Sequence, residues 1–132
     1  MSALKAPVLP MSFRRIRLQL AREPQHPQGD ALTGYLLTAP LDREGRLNVD
    51  AARAHKDACR VVRFREGQNN QEGYLRRRPG GSWAFHYEFD SGVEDDDPGY
   101  RLGEHRFSPG EYVTIEEDEG AHTYRVVSVQ TL

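Results

Sequence analysis

Between Phe13 and Leu20 the chain alternates: Ile16, Leu18 and Leu20 are apolar, and Arg15, Arg17 and Gln19 between them are polar. A period of two is the signature of a strand with one face in a core and the other in water. Related stretches follow at GYLLTAPL (34–41), CRVVRFR (59–65), GYLRRR (73–78), SWAFHYEF (82–89), YRLGEHRF (100–107), EYVTIEE (111–117) and HTYRVVSV (122–129). In CRVVRFR the apolar side reads as Val62 and Phe64, with Arg63 and Arg65 opposite. In SWAFHYEF, Trp83, Phe85, Tyr87 and Phe89 alternate with Ala84, His86 and Glu88. Burying each of these large rings is worth roughly 1.5–3 kcal/mol. They are therefore expected to face inward, with His86 and Glu88 outward.

One segment has a helical period. Ala51, Ala54 and Ala58 recur on one face, Asn48 is a suitable cap, and Asp50 sits near the positive end of the helix dipole. A helix from Val49 to about Ala58 is expected, covering part of a sheet with its small-sided face.

The links are short and rich in turn formers. DREG (42–45) places Gly45 where positive φ is wanted, and EGQNNQEG, PGGS and EDEG join other strands. Pro-Gly occurs at 79–80, 98–99 and 109–110, each pair suited to the middle of a type II turn. Links this short make consecutive strands antiparallel neighbours. The expected fold is mainly β with one short α-helix, an antiparallel meander curled into a small, partly open barrel or a two-layer sheet. Residues 1–12 read as a flexible tail and 13–132 as a single β-rich domain.

Composition sharpens this picture. Of 132 residues, 37% are apolar and 29% charged, which describes a thin core under a heavily solvated surface. Cys59 is the single cysteine, so an internal disulfide and a multi-cysteine zinc site are both excluded. A reducing, cytoplasmic setting is expected. There is no apolar run long enough to span a membrane as a helix.

The net charge of −2 conceals segregation. Residues 59–78 hold six arginines against Glu66 and Glu72, whereas 88–97 hold six acids and 111–119 five. Basic and acidic strands pairing across the sheet would explain this. The arginine face, with Arg63, Arg65, Arg76 and Arg78, is a weaker candidate for RNA or single-stranded DNA.

Candidate chemistry is sparse. Trp83 and Tyr87 have polar tips and suit a barrel mouth. With Tyr100 and the loop at 22–30, which contains His26, they are the candidate contacts for a protein partner or small ligand. If 82–89 and 100–107 form a hairpin, His86, Glu88, Glu104 and His105 gather near one another and could bind zinc or act as base and orienter. The acidic run Glu94–Asp97 lacks the spacing of a calcium loop and reads as a solvated tip. His55 and Cys59, four apart on the expected helix, read as an inert buried pair rather than a nucleophile and base. No phosphate-loop, HExxH or GxSxG motif occurs, and nothing calls for a cofactor.

GYLLTAPLDREGRLN, HKDACRVVRF, RRPGGSWAFHYEF, FSPGEYVTI and HTYRVVSV together resemble a family of small uncharacterised bacterial proteins, chiefly proteobacterial. The resemblance spans residues 13 to 129 and implies a free-standing bacterial domain, without assigning catalytic residues. The expectation is a non-enzymatic protein that binds a partner or small ligand through a sheet face or barrel mouth. A metal-dependent protein is the alternative.

Overall fold

The computed structural model describes residues 10–79, 82–87, 97–99, 102–117 and 120–132. In chain order the elements are β1 (Phe13–Leu20), β2 (Asp30–Pro40), α1 (Val49–Ala54), β3 (Arg60–Phe64), β4 (Gln71–Arg77), β5 (Trp83–Tyr87), β6 (Asp97–Gly99), β7 (Tyr112–Glu117) and β8 (Gly120–Thr131). The eight strands form one sheet in the order β6-β5-β4-β3-β2-β1-β8-β7, and every pairing is antiparallel. The sheet curls into a half-barrel. Its edge strands β6 and β7 approach each other across a seam. Leu102 and Phe107, in the segment joining those two strands, are fully buried and help to close that side of the core.

The period-two pattern decides what fills the interior. Ile16, Leu18 and Leu20 of β1 point in, as do Tyr35, Leu37 and Ala39 of β2, Val113 and Ile115 of β7, and Tyr124 and Val126 of β8. A register shift between Arg17 and Leu18 lets β1 keep its apolar face inward while following the curvature of β8. Trp83, Phe85 and Tyr87 are buried and His86 is exposed, as their alternation requires; Glu88 and Phe89 lie outside the described residues.

In β3 the inward face is the reverse of the simple reading. Cys59, Val61 and Arg63 are buried, and Val62 and Phe64 are half-buried on the outer side. Phe64 is covered there by the Arg17 guanidinium, 4.5 Å from its ring centroid. A cation on an aromatic face contributes about 0.5–1 kcal/mol at an exposed site. The inverted face is favoured because Arg63 finds a buried carboxylate inside.

Asn48 caps α1 as expected, its side-chain oxygen accepting from the Ala51 N–H at 3.1 Å. The helix is shorter than its alanine pattern suggests, and Lys56–Ala58 forms a 3-10 turn. The reason is the adjoining sheet: the Cys59 carbonyl already accepts from the Leu75 N–H at 3.0 Å, so the chain must be extended by then. Gly45 has φ 83° in its turn.

Two further expectations fail locally. Pro109-Gly110 does form a turn, with Gly110 at φ 94° and Glu111 N–H bonded to the Ser108 carbonyl at 3.0 Å. Pro98-Gly99 instead lies in β6, opposite Ala84 and Trp83. Proline is tolerated there because β6 is an edge strand with one unpaired side. Of the strand expected over 100–107, the described part, 102–107, is not a strand: Leu102–Glu104 is a 3-10 turn, and β6 takes its place beside β5. Gly80 and Tyr100 are outside the described residues.

Gly73 pairs with Tyr87, and a Cβ built on it would sit 2.0 Å from the His86 carbonyl oxygen. The obstacle is backbone, so the strands must separate to admit a side chain. Gly73→Ala is expected to cost about 1–3 kcal/mol, the usual range for overpacking. A urea titration would read this as a lower midpoint, and an unchanged midpoint would contradict the placement.

Candidate functional site

The interior has two chemically different ends. At one end Tyr35, Arg63, Tyr87, Glu117 and Tyr124 lie together, carried by β2, β3, β5, β7 and β8. Glu117 continues the inward series Val113, Ile115, and its side chain is 2% exposed. Its Oε1 accepts from Arg63 at 2.9 Å and from Arg65 at 3.2 Å. Its Oε2 accepts from the Tyr35 hydroxyl at 2.7 Å and from the Tyr124 hydroxyl. Burial pushes the hydroxyls of Tyr35 and Tyr124 far above the ordinary tyrosine value, and the neighbouring carboxylate adds to the shift. Part of the segregated charge thus meets across the interior, where Arg63 and Arg65 reach Glu117 of β7.

A cleft of about 330 Å³ opens beside this network. On its lip, Glu23 accepts from His122 Nδ1 at 2.9 Å and faces His26 Nδ1 at 3.2 Å. Burial pushes the Glu23 carboxyl upward, but the two histidines together outweigh it and hold the group below its ordinary value. His26, anticipated as a contact, is thus tied to the loop carboxylate at this rim. Glu117 and His122 were not anticipated. The signal for Glu117 was present, since the two-residue period of β7 places it on the apolar face.

At the other end, α1 and the β4–β5 hairpin enclose a cleft of about 300 Å³. Its apolar floor includes Val49, Ala52, Leu75 and Trp83. Five cationic side chains also line it: Arg53 and Lys56 from the helical side, and Arg76, Arg77 and Arg78 from β4 and its end. None of the described lining residues is acidic. Arg77 is the cross-strand partner of Trp83, which puts a guanidinium beside the indole on the same face of the sheet. Arg76 is held by the Lys56 carbonyl at 2.9 Å and lies over the Tyr74 ring at 4.4 Å. Arg60 stacks on the same ring at 4.3 Å.

The expected contacts are divided between these ends. Trp83 lines the basic cleft, Tyr87 is buried in the interior, His26 lies on the opposite rim, and Tyr100 is outside the described residues. Of the metal alternative, His86 is exposed on β5, Glu104 ends the 3-10 turn and His105 follows it; Glu88 is not among the described residues. Burial lowers the His105 pKa, with Glu104 partly opposing. Among the described residues, no group of three or more His, Cys, Asp or Glu side chains is placed to hold a metal ion. Of the arginine face, Arg63 and Arg65 turn to Glu117, while Arg76 and Arg78 border the basic cleft. Cys59 is buried, its thiol pushed up to about 11 by desolvation, and its Sγ lies 3.6 Å from the His55 carbonyl. The His55 ring packs edge-on against Phe13 instead. No helix among the described residues is long and apolar enough to cross a membrane.

No family model matches the chain, and neither the curated proteins nor the solved structures contain a significant match to it.

Proposed function

We propose that the chain is a non-enzymatic binding protein that takes a small organic ligand in the Trp83 cleft, at the helix-covered end of the half-barrel. The observation that carries this reading is the pairing of an apolar floor with a rim that, among the described residues, holds five cations and no acid. Ligand sites combine apolar walls with a few placed polar groups in this way. Binding is favoured over turnover because the two most reactive-looking groups are committed elsewhere. Glu117 is engaged by four donors, and the Cys59 thiol stays protonated at neutral pH. A buried reduced thiol also suits a cytoplasmic location.

Trp83 is the single tryptophan, so the site reports on itself. Titration with small aromatic anions is expected to give a saturable change in intrinsic fluorescence. Ala52→Leu, which fills the floor, should weaken that response at least tenfold. A fluorescence trace that stays flat with every anion tried would remove the proposal.

A further inference from the structure

The charge pattern narrows the ligand class. We infer that the Trp83 cleft selects a phosphate monoester with a small apolar or aromatic body; this rests on the reading of the cleft as a ligand site. Charge sets the first constraint. A carboxylate or sulfate ester brings one negative charge, whereas a phosphate monoester carries about −1.5 to −2 at neutral pH and three acceptor oxygens. Arg53 and Lys56 approach from one wall and Arg77 from the other, and no acid is among the described lining residues. Among the described residues Arg76 pairs with Asp57 at 3.5 Å, and that carboxylate is 84% exposed.

Geometry supplies the second part. Cross-strand pairing fixes Arg77 beside Trp83, so an anionic head on the guanidinium places its substituent against the indole and Leu75. Planar guanidinium groups meet phosphate oxygens through two parallel hydrogen bonds. Size is the third constraint. A volume of about 300 Å³ is at the small end for ligand sites, so a single ring or short acyl body fits and a long chain does not.

The test uses the full chain and the one indole N–H resonance of Trp83, which needs no assignment. Phenyl phosphate, phenyl sulfate, benzyl alcohol and inorganic phosphate are titrated in parallel, followed by a short single-stranded oligonucleotide. Phenyl phosphate is expected to move the resonance saturably and to bind at least tenfold tighter than phenyl sulfate or inorganic phosphate. Arg77→Gln should weaken phenyl phosphate at least fivefold, while an unchanged urea midpoint of the free variant shows that the fold is intact. Equal affinity for the sulfate or the alcohol would overturn the phosphate inference and leave the ligand site standing. Tighter binding of the oligonucleotide would overturn it in favour of a nucleic-acid surface. If no probe moves the resonance, both the inference and the site beneath it fail.

Discussion

Glu117→Ala is expected to destabilise the protein by about 3–5 kcal/mol, the cost of leaving one partner of a buried ion pair alone. Total stability for a domain is only about 5–15 kcal/mol, so the variant should be close to unfolding. The loss has several parts. Arg63, 9% exposed at its side chain, keeps its charge without the carboxylate, and the hydroxyls of Tyr35 and Tyr124 lose their acceptor. The intact network is not thereby a large net stabiliser, because taking both charges out of water is itself costly. A double-mutant cycle separates these effects. Adding Arg63→Met to Glu117→Leu should recover much of the loss seen in Glu117→Leu alone, since no buried charge remains at that pair. Chemical denaturation of the four proteins provides the measurement. A single Glu117→Ala variant within 1 kcal/mol of the parent would show that the carboxylate does not hold this end together.

The same end should make the protein unusually sensitive to alkali. Tyr35 and Tyr124 have raised pKa values in the folded state, chiefly from burial. Unfolded tyrosine releases its proton near pH 10. Their contribution is therefore complete below about pH 10 and declines above it, where the unfolded chain ionises and the folded chain does not. Each such hydroxyl removes about 1.4 kcal/mol per pH unit, so the two together give a slope of about 2.7 kcal/mol per unit. Cys59 acts in the same direction from a somewhat lower pH, because its folded value of about 11 lies above the free thiol. Urea midpoints measured from pH 9 upward, with tyrosinate absorbance followed in parallel, test this. Tyr124→Phe should roughly halve the tyrosine part of the slope. A tyrosinate signal in the still-folded protein that Tyr35→Phe or Tyr124→Phe removes would mean that these hydroxyls are open to solvent.

Much of the architecture could be read from residue order. The alternation at Ile16, Leu18 and Leu20 placed β1 and its inner face, and the rings of Trp83, Phe85 and Tyr87 did the same for β5. These segments were legible because local pattern and global burial agree. β3 was misleading for a definite reason. Val61, Val62, Arg63 and Phe64 offer an apolar residue to either face, and the choice was made by Glu117, 54 residues away and reached only across the curled sheet. Asp97-Pro98-Gly99 carries turn chemistry, yet it forms an edge strand because β5 offers a free ladder. Leu102 and Phe107 are spaced five apart, which matches neither a strand nor a single helix face; they are buried by the seam they fill. The basic cleft was half visible. Arg76, Arg77 and Arg78 announced a positive segment, but only the fold brings Arg53 and Lys56 to it over Trp83.

Going around the half-barrel, strands follow the order in which they are synthesised, and the gap falls between β6 and β7. One ladder alone, β1 with β8, joins distant parts of the chain. A circular permutant that begins at β7 and links Leu132 back to Pro10 would convert that ladder into a hairpin and leave every other pairing untouched. Its contact order would drop, and topology-limited folding would accelerate accordingly. The break around the wall thus marks where this polypeptide can be recut without loss of a ladder, provided that the segment burying Leu102 and Phe107 stays attached to β6.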